Sequence, residues 1–192
     1  MGGEDALGLD FTKLLSESYP EAKEEIDSNL PLPLIDEIEI TAFIDSDHAH
    51  DKVTRRSITG LMVFVGRTPI FIMSKRQGAI ETSTYGAEFC AMRTAVEEVQ
   101  SIRYMLRCLG VKVNFASLVC GDNLAVIQNC TVSDSLLKKK HVAIAYHKSR
   151  ESAAAGIVHP IKVASKENFA DILTKPMSGP AFWSILDCIT RG

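Results

Sequence analysis

Four acids in this chain, Asp45, Glu88, Asp122 and Asp171, sit inside or against apolar stretches where a carboxylate is locally out of place. Asp45 closes the alternating run Ile38-Glu39-Ile40-Thr41-Ala42-Phe43-Ile44. Glu88 falls in the first turns of a long apolar helical pattern. Asp122 follows Ala116-Ser117-Leu118-Val119-Cys120, and Asp171 interrupts Asn168-Phe169-Ala170-Asp171-Ile172-Leu173. A carboxylate withdrawn from water must be compensated. For several acids at once the economical compensation is a shared divalent cation, which takes oxygen ligands. If the four converge, the chemistry they suit is magnesium-assisted phosphodiester hydrolysis.

Each acid also has an ordinary reading. Glu88 resembles a capping-box acid, but the residue three before it is Tyr85, which cannot serve as that cap. Asp122 has the type and place of a helix N-cap. Asp171 could simply face solvent. Asp47 is either a further acid near the cations or a turn residue.

The elements that must position these acids follow from periodicity. The domain proper starts near Ile38, and its first strand runs to about Asp45. After a polar stretch, 47–57, a second strand spans Ile58–Val65, rich in β-branched and aromatic residues. The turn signal Gly66-Arg67-Thr68-Pro69 leads to a short third strand, Ile70–Ser74. Short links imply an antiparallel meander. Three- and four-residue apolar spacing predicts a helix over Tyr85–Leu109, stopped by Gly110. A fourth strand at Phe115–Cys120, a short helix at Asn123–Cys130 and a helix at Leu136–Ala155 follow. Ile157–Val163 is a fifth strand, and Pro160 suggests that it lies at an edge. Asn168–Lys175 reads as helical, and Ala181–Ile189 as a last helix packed through Phe182 and Trp183. The helical crossover can set strand 4 parallel to strand 1. Asp45 and Asp122 then share the carboxyl ends of neighbouring strands, where open α/β sheets hold ligands.

The net charge of −3 conceals an asymmetry. Residues 1–40 hold 11 acids and 2 bases, net −9, while residues 41–192 hold 13 acids and 19 bases, net +6. A basic domain behind an acidic leader suits a polyanionic partner. The five cysteines form no CxxC pair and read as reduced thiols of an intracellular protein. The sequence shows no secretory signal and no apolar run of membrane-spanning length.

Six motifs then stand in one order. They are Asp45-Ser46-Asp47-His48-Ala49, Thr54-Arg55-Arg56-Ser57-Ile58-Thr59-Gly60 and Ser83-Thr84-Tyr85-Gly86-Ala87-Glu88-Phe89. Gly121-Asp122-Asn123, Lys140-His141-Val142-Ala143-Ile144-Ala145-Tyr146-His147 and Asn168-Phe169-Ala170-Asp171-Ile172-Leu173-Thr174-Lys175-Pro176 complete the set. Over roughly residues 40–178 the chain resembles the ribonuclease H domain of copia-type LTR retrotransposon polyproteins. The resemblance implies an α/β, ribonuclease H-like fold. Its five-stranded mixed sheet has strands 1–3 antiparallel, strands 4 and 5 parallel to strand 1, and helices on both faces. The chain divides into an acidic leader or tether (1–37), the ribonuclease H-like domain (38–178) and a C-terminal helix or tail (179–192).

Carried over by motif, the resemblance implies that Asp45, Glu88, Asp122 and Asp171 are the catalytic, metal-binding set. Their cofactor is two Mg2+ ions about 4 Å apart, with Mn2+ able to substitute. The implied activity is endonucleolytic cleavage of the RNA strand of RNA–DNA hybrids, beside the reverse transcriptase of the same polyprotein. Its implied setting is the cytoplasm, in a virus-like particle, or the nucleus. Ser83 and Thr84, ahead of the Glu88 helix, can offer hydroxyls and backbone N–H groups to phosphate. Arg55 and Arg56 can contact the nucleic-acid backbone, and Asn123 can read a 2′-hydroxyl. The run Lys138-Lys139-Lys140 is either a solvated face or a phosphate track. Cellular-type ribonucleases H place a histidine in the loop before the last Asp; here Ala164-Ser165-Lys166-Glu167 has none, so either water or Glu167 takes its task or turnover is slower. The alternative is a catalytically weak or inactive hybrid-binding module from a decayed or repurposed element. An integrase of the same fold group would show an Asp-Asp-Glu order, whereas Glu88 comes second here.

Overall fold

The computed structural model describes residues 28–29, 38–113, 115–132 and 142–191. Residues 1–27 and 30–37, nearly all of the expected acidic leader, lie outside the described residues. So do Lys138–Lys140, His141 and the first part of the helix expected from Leu136.

The sheet is five-stranded, in the order β3-β2-β1-β4-β5. Its meander is β1 (Ile40–Asp47), β2 (Ile58–Val65) and β3 (Thr68–Arg76), each antiparallel to the next. β1 extends past Asp45 because its ladder with β2 continues to Asp47↔Ile58. β3 starts at Thr68 because the turn takes only Gly66 and Arg67, with Gly66 at φ 57, a conformation that glycine adopts without cost. β4 (Ser117–Gly121) lies parallel to β1, and β5 (Val158–Lys162) parallel to β4. β5 is an edge strand, where Pro160 costs no ladder bond on its open side.

Alternation along β1 divides the core into two. Ile40, Ala42 and Ile44 face one cluster, and Phe43 faces the other. The first cluster receives helix α1 (Thr84–Cys108) through Phe89, Met92, Ala95, Val96 and Val99. Helices α2 (Leu124–Thr131) and α3 (Ala143–Ala154) add Val126, Ile127, Ala145 and Tyr146 on the same side. The second cluster joins Phe43, Met62, Phe64, Leu118 and Cys120 to Ala170 and to helix α4 (Gly179–Arg191). α4 packs through Ile185 and Ile189. Trp183, expected in that packing, is 62% exposed, and Phe182 is also exposed. Trp183 lies two residues before Ile185 and so falls off the face that carries Ile185 and Ile189.

Arg103 crosses from α1 to the entry of β4. Its guanidinium is buried and donates to the Phe115 carbonyl at 2.6 Å and to Ser117 Oγ at 2.9 Å. The long helix is thereby tied to the strand that carries Asp122 at its end.

Candidate metal centre

β1 and β4 pair only through Thr41↔Leu118, Ala42↔Val119 and Phe43↔Cys120. Beyond that point β4 stays with β5 through Gly121↔Lys162. The two strands thus part at their carboxyl ends, and Asp45 and Asp122 stand two residues past the last shared pair. Glu88 reaches the same place from the second turn of α1. Asp45, Glu88 and Asp122 each offer an oxygen that lies within 4.8 Å of the others. An open cleft of about 670 Å³ surrounds them, and Ser46, Asp47, His48, Thr84, Asn123 and Lys175 contribute to its walls.

Asp171 comes from elsewhere. Its segment is a 3-10 turn, Phe169–Leu173, rather than the helix expected over Asn168–Lys175. Asn168, fully buried, pins this turn to the sheet. Its Nδ2 donates to the Ile44 carbonyl at 2.8 Å, and its Oδ1 accepts from Ala170 N. That carbonyl lies where the β1–β4 ladder has already ended, so the side chain supplies the partner that a strand would otherwise provide. Asp171 is not part of the three-acid group, but it joins Asp45 through Lys175. Lys175 Nζ lies 3.1 Å from Asp45 Oδ2, 3.2 Å from Asp45 Oδ1 and 3.3 Å from Asp171 Oδ1. Thr174 Oγ1 also donates to Asp45 Oδ2.

The electrostatics record the crowding. Burial, and after it repulsion from Asp45 and Asp122, pushes the Glu88 carboxyl up to about 8. Burial and then Asp45 raise Asp171 above the usual carboxylate range, and Lys175 opposes this. Burial works against the Lys175 charge, but Asp45 and Asp171 outweigh it and lift the ammonium above its ordinary value. The cluster therefore carries more negative charge than its own cation neutralises. Hard oxygen donors with surplus negative charge are what Mg2+ takes, so the residues present fit that ion.

The remaining expected residues are distributed unevenly. Thr84 and Asn123 line the cleft. Asn123, not Asp122, is the N-cap of α2, its Oδ1 accepting from Ala125 N and Val126 N; the Asp122 carboxylate is thus spared for the cluster. Ser83 caps α1, its Oγ accepting from Gly86 N at 3.2 Å. Arg55 and Arg56 are exposed in the loop before β2, with Arg55 at φ 58, and neither lines the cleft. Asp47 lines it, its carboxylate held by His50 Nδ1 at 2.6 Å. His147 is exposed on α3, and His159 is buried in β5, where burial lowers its pKa.

Four contributors were not foreseen. Lys175 and Thr174 belong to a motif noted for Asp171, and the i,i+4 spacing of an acid and a lysine was the available signal. Ser165, in the loop that lacks a histidine, donates to Asp122 Oδ2 at 2.9 Å. His48 lines the cleft while its Nε2 donates to the Glu81 carbonyl at 3.0 Å. Neither of the last two has a local pattern that would announce it.

Gly60 on β2 lies beneath the Asp171 turn. A Cβ there would stand 2.7 Å from Thr174 Cγ2, 2.9 Å from the Ala170 carbonyl oxygen and 3.0 Å from Leu173 Cβ. One of these is backbone, so the turn itself must move. Gly60→Ala is expected to lower stability by about 1–3 kcal/mol, the usual cost of overpacking. It should also disturb the Asp171 and Lys175 positions, visible as shifted NMR resonances of both residues; a native-like melting point would contradict this.

No protein-family model matches the chain. It is 31% identical over 145 residues to the retrovirus-related Pol polyprotein from transposon RE1 of Arabidopsis thaliana, a match covering 76% of this chain and 10% of that protein. It is 29% identical over 136 residues to the corresponding polyprotein from transposon TNT 1-94 of Nicotiana tabacum, covering 71% and 10%. The chain thus spans about a tenth of the length of the curated relatives it matches. Among solved structures it superposes on LC11-RNase H1, determined in complex with an RNA/DNA hybrid, with a TM-score of 0.55 and 15% identity over 71% of this chain and 94% of that one. It superposes likewise on RNase H1 of Halobacterium salinarum, with a TM-score of 0.51 and 15% identity over 72% and 95%. Sheet order and strand directions match the ribonuclease H-like neighbours. The chain belongs with the ribonuclease H domains of copia-type retrotransposon Pol polyproteins.

Proposed function

We propose that this domain is a Mg2+-dependent endonuclease that hydrolyses the RNA strand of RNA–DNA hybrids during replication of a retrotransposon. The observation that carries the reading is the convergence of Asp45, Glu88 and Asp122 within 4.8 Å at the parting carboxyl ends of β1 and β4. Homology to transposon Pol polyproteins and the ribonuclease H-like fold support the same reading.

Asp45, Glu88 and Asp122 would hold one Mg2+, and Asp45 with Asp171 a second. When bound, the ions supply an activated water and neutralise the charge that develops on the phosphate oxygens. The chain's own residues prepare that site. Thr174 and Lys175 orient the Asp45 carboxylate, and Ser165 fixes Asp122. Asn168 and the close approach at Gly60 hold the Asp171 turn against the sheet. Thr84, exposed at the start of α1, can meet a phosphate oxygen where backbone N–H groups also point outward. Asn123 keeps its Nδ2 for a 2′-hydroxyl because its Oδ1 is committed to capping. The products would be a 5′-phosphate and a 3′-hydroxyl. The partner would be the reverse transcriptase of the same polyprotein, and the setting a virus-like particle in the cytoplasm or the nucleus. No helix among the described residues is long and apolar enough to cross a membrane.

The test is cleavage of an RNA–DNA hybrid, labelled on the RNA strand, in Mg2+, with Asp122→Asn as control. The wild type should cut the RNA strand and the variant should not. Equal and negligible cleavage by both, with the hybrid still bound, would leave a binding module instead.

A further inference from the structure

Among the described residues that line the cleft, Lys175 is the one whose charge opposes the acids around it, and the fold holds its base in place. Its backbone N–H donates to the Asp171 carbonyl at 3.1 Å, so it leaves directly from the pinned turn. Its side chain is 40% exposed, yet its ammonium reaches inward to Asp45, whose side chain is 1% exposed. There it touches both oxygens of Asp45 and one of Asp171. Among the described residues, no comparable ion pair forms at Glu88 or Asp122.

The two sides of Asp45 therefore differ. Toward Glu88 and Asp122 its surroundings are acidic and open to the cleft. Toward Asp171 the same carboxylate is already occupied by a cation belonging to the chain. A divalent ion between Asp45 and Asp171 needs the oxygens the ammonium holds, and two cations cannot share that gap without strong repulsion. The long, partly exposed stem gives the ammonium a route back to water.

We propose that Lys175 is a built-in counter-ion that keeps Asp45 and Asp171 together and must withdraw before a divalent cation can bind between them. This rests on the metal-dependent nuclease reading and makes the two cation positions unequal. The first ion takes its other oxygens from Glu88 and Asp122, neither of which pairs with Lys175, and needs from Asp45 only a lone pair on an oxygen that the ammonium can share. The second binds on the Asp171 side only as Lys175 leaves, so its affinity is lower and sets the cation concentration at which the full site forms. Lys175 is thus a positioning residue that grades cation binding.

The experiment is calorimetric titration of the 192-residue chain with Mn2+, comparing wild type, Lys175→Met and Lys175→Arg. The wild type should show a stronger and a weaker site. Lys175→Met should tighten the weaker site about tenfold, the size expected from removing one close repulsive charge, and leave the stronger one in place. Lys175→Arg should keep the wild-type separation. An unchanged or weakened second site in Lys175→Met, with two sites intact in the wild type, overturns the proposal alone. A wild type that binds no Mn2+ sinks the metal-dependent reading itself, and the proposal with it. A second measurement needs no variant. The Lys175 side-chain NMR signal of the wild type should move with the second equivalent of Mn2+-mimicking diamagnetic Mg2+ and not with the first. Movement complete at the first equivalent, or no movement at saturation, also overturns it.

Discussion

Asp45→Asn is expected to lower Mg2+-dependent cleavage of the RNA strand by at least about a thousandfold, or about 4 kcal/mol of transition-state stabilisation. Asp45 is the acid on which both halves of the site depend. It lies within 4.8 Å of Glu88 and Asp122 on one side and shares Lys175 with Asp171 on the other. Asparagine has the same shape and can still accept from the Thr174 hydroxyl, so the sheet and the Asp171 turn should persist. What it removes is the charge that could serve two cations and that pairs with Lys175. Single-turnover cleavage of a labelled hybrid measures the loss, and circular dichroism confirms the retained fold. A folded variant within tenfold of wild type would remove Asp45 from the centre of the mechanism.

Glu88→Gln is expected to stabilise the metal-free protein, and increasingly so as pH rises. Burial, with help from Asp45 and Asp122, lifts the Glu88 carboxyl from an ordinary 4.5 to about 8. Between these values the native state holds a proton that the unfolded state has released. Native stability therefore falls as pH rises from about 4.5 to about 8, and the contribution of the neutral acid is complete only below that window. The span corresponds to at most about 5 kcal/mol. Glutamine does not titrate, so the stability difference between variant and wild type separates this group from His159, which is present in both proteins. Urea unfolding in a chelator at several pH values between 4.5 and 8.5 gives the difference directly. A difference that stays flat across the window would show that Glu88 is not the strained acid. Mg2+ should reverse the order, stabilising the wild type more than the variant, because only the wild type gains an ionised ligand.

Much of the architecture was legible in local pattern. β2 spans Ile58–Val65, as its β-branched and aromatic run predicts, and α1 differs from its expected bounds by one residue at each end. These are segments whose periodicity and boundary residues agree with one another. The differences arise where a neighbour decides the boundary. β1 extends beyond Asp45 because β2 continues to pair with it, and β3 begins within an apparent turn because Val65 pairs with Thr68. The Asp171 segment closes as a 3-10 turn, pinned from outside by Asn168 on Ile44 and pressed onto Gly60, contacts 124 residues apart in the first case.

The sequence by itself determined which residues could do chemistry. Acids placed at the ends of apolar runs were visible one by one, and their order within six motifs grouped them as one candidate set. Only the tertiary structure decided how they are arranged. It set β4 beside β1 and then parted them, bringing Asp45 and Asp122 together with Glu88 from α1. It kept Asp171 outside that trio and placed Lys175 in the gap. It also gave the capping role to Asn123 and the support of Asp122 to Ser165. The physical reason is that periodicity and turn chemistry are properties of neighbours in sequence. Strand pairing, charge compensation and close approach at a glycine are set by residues distant in sequence, and they have no local signature.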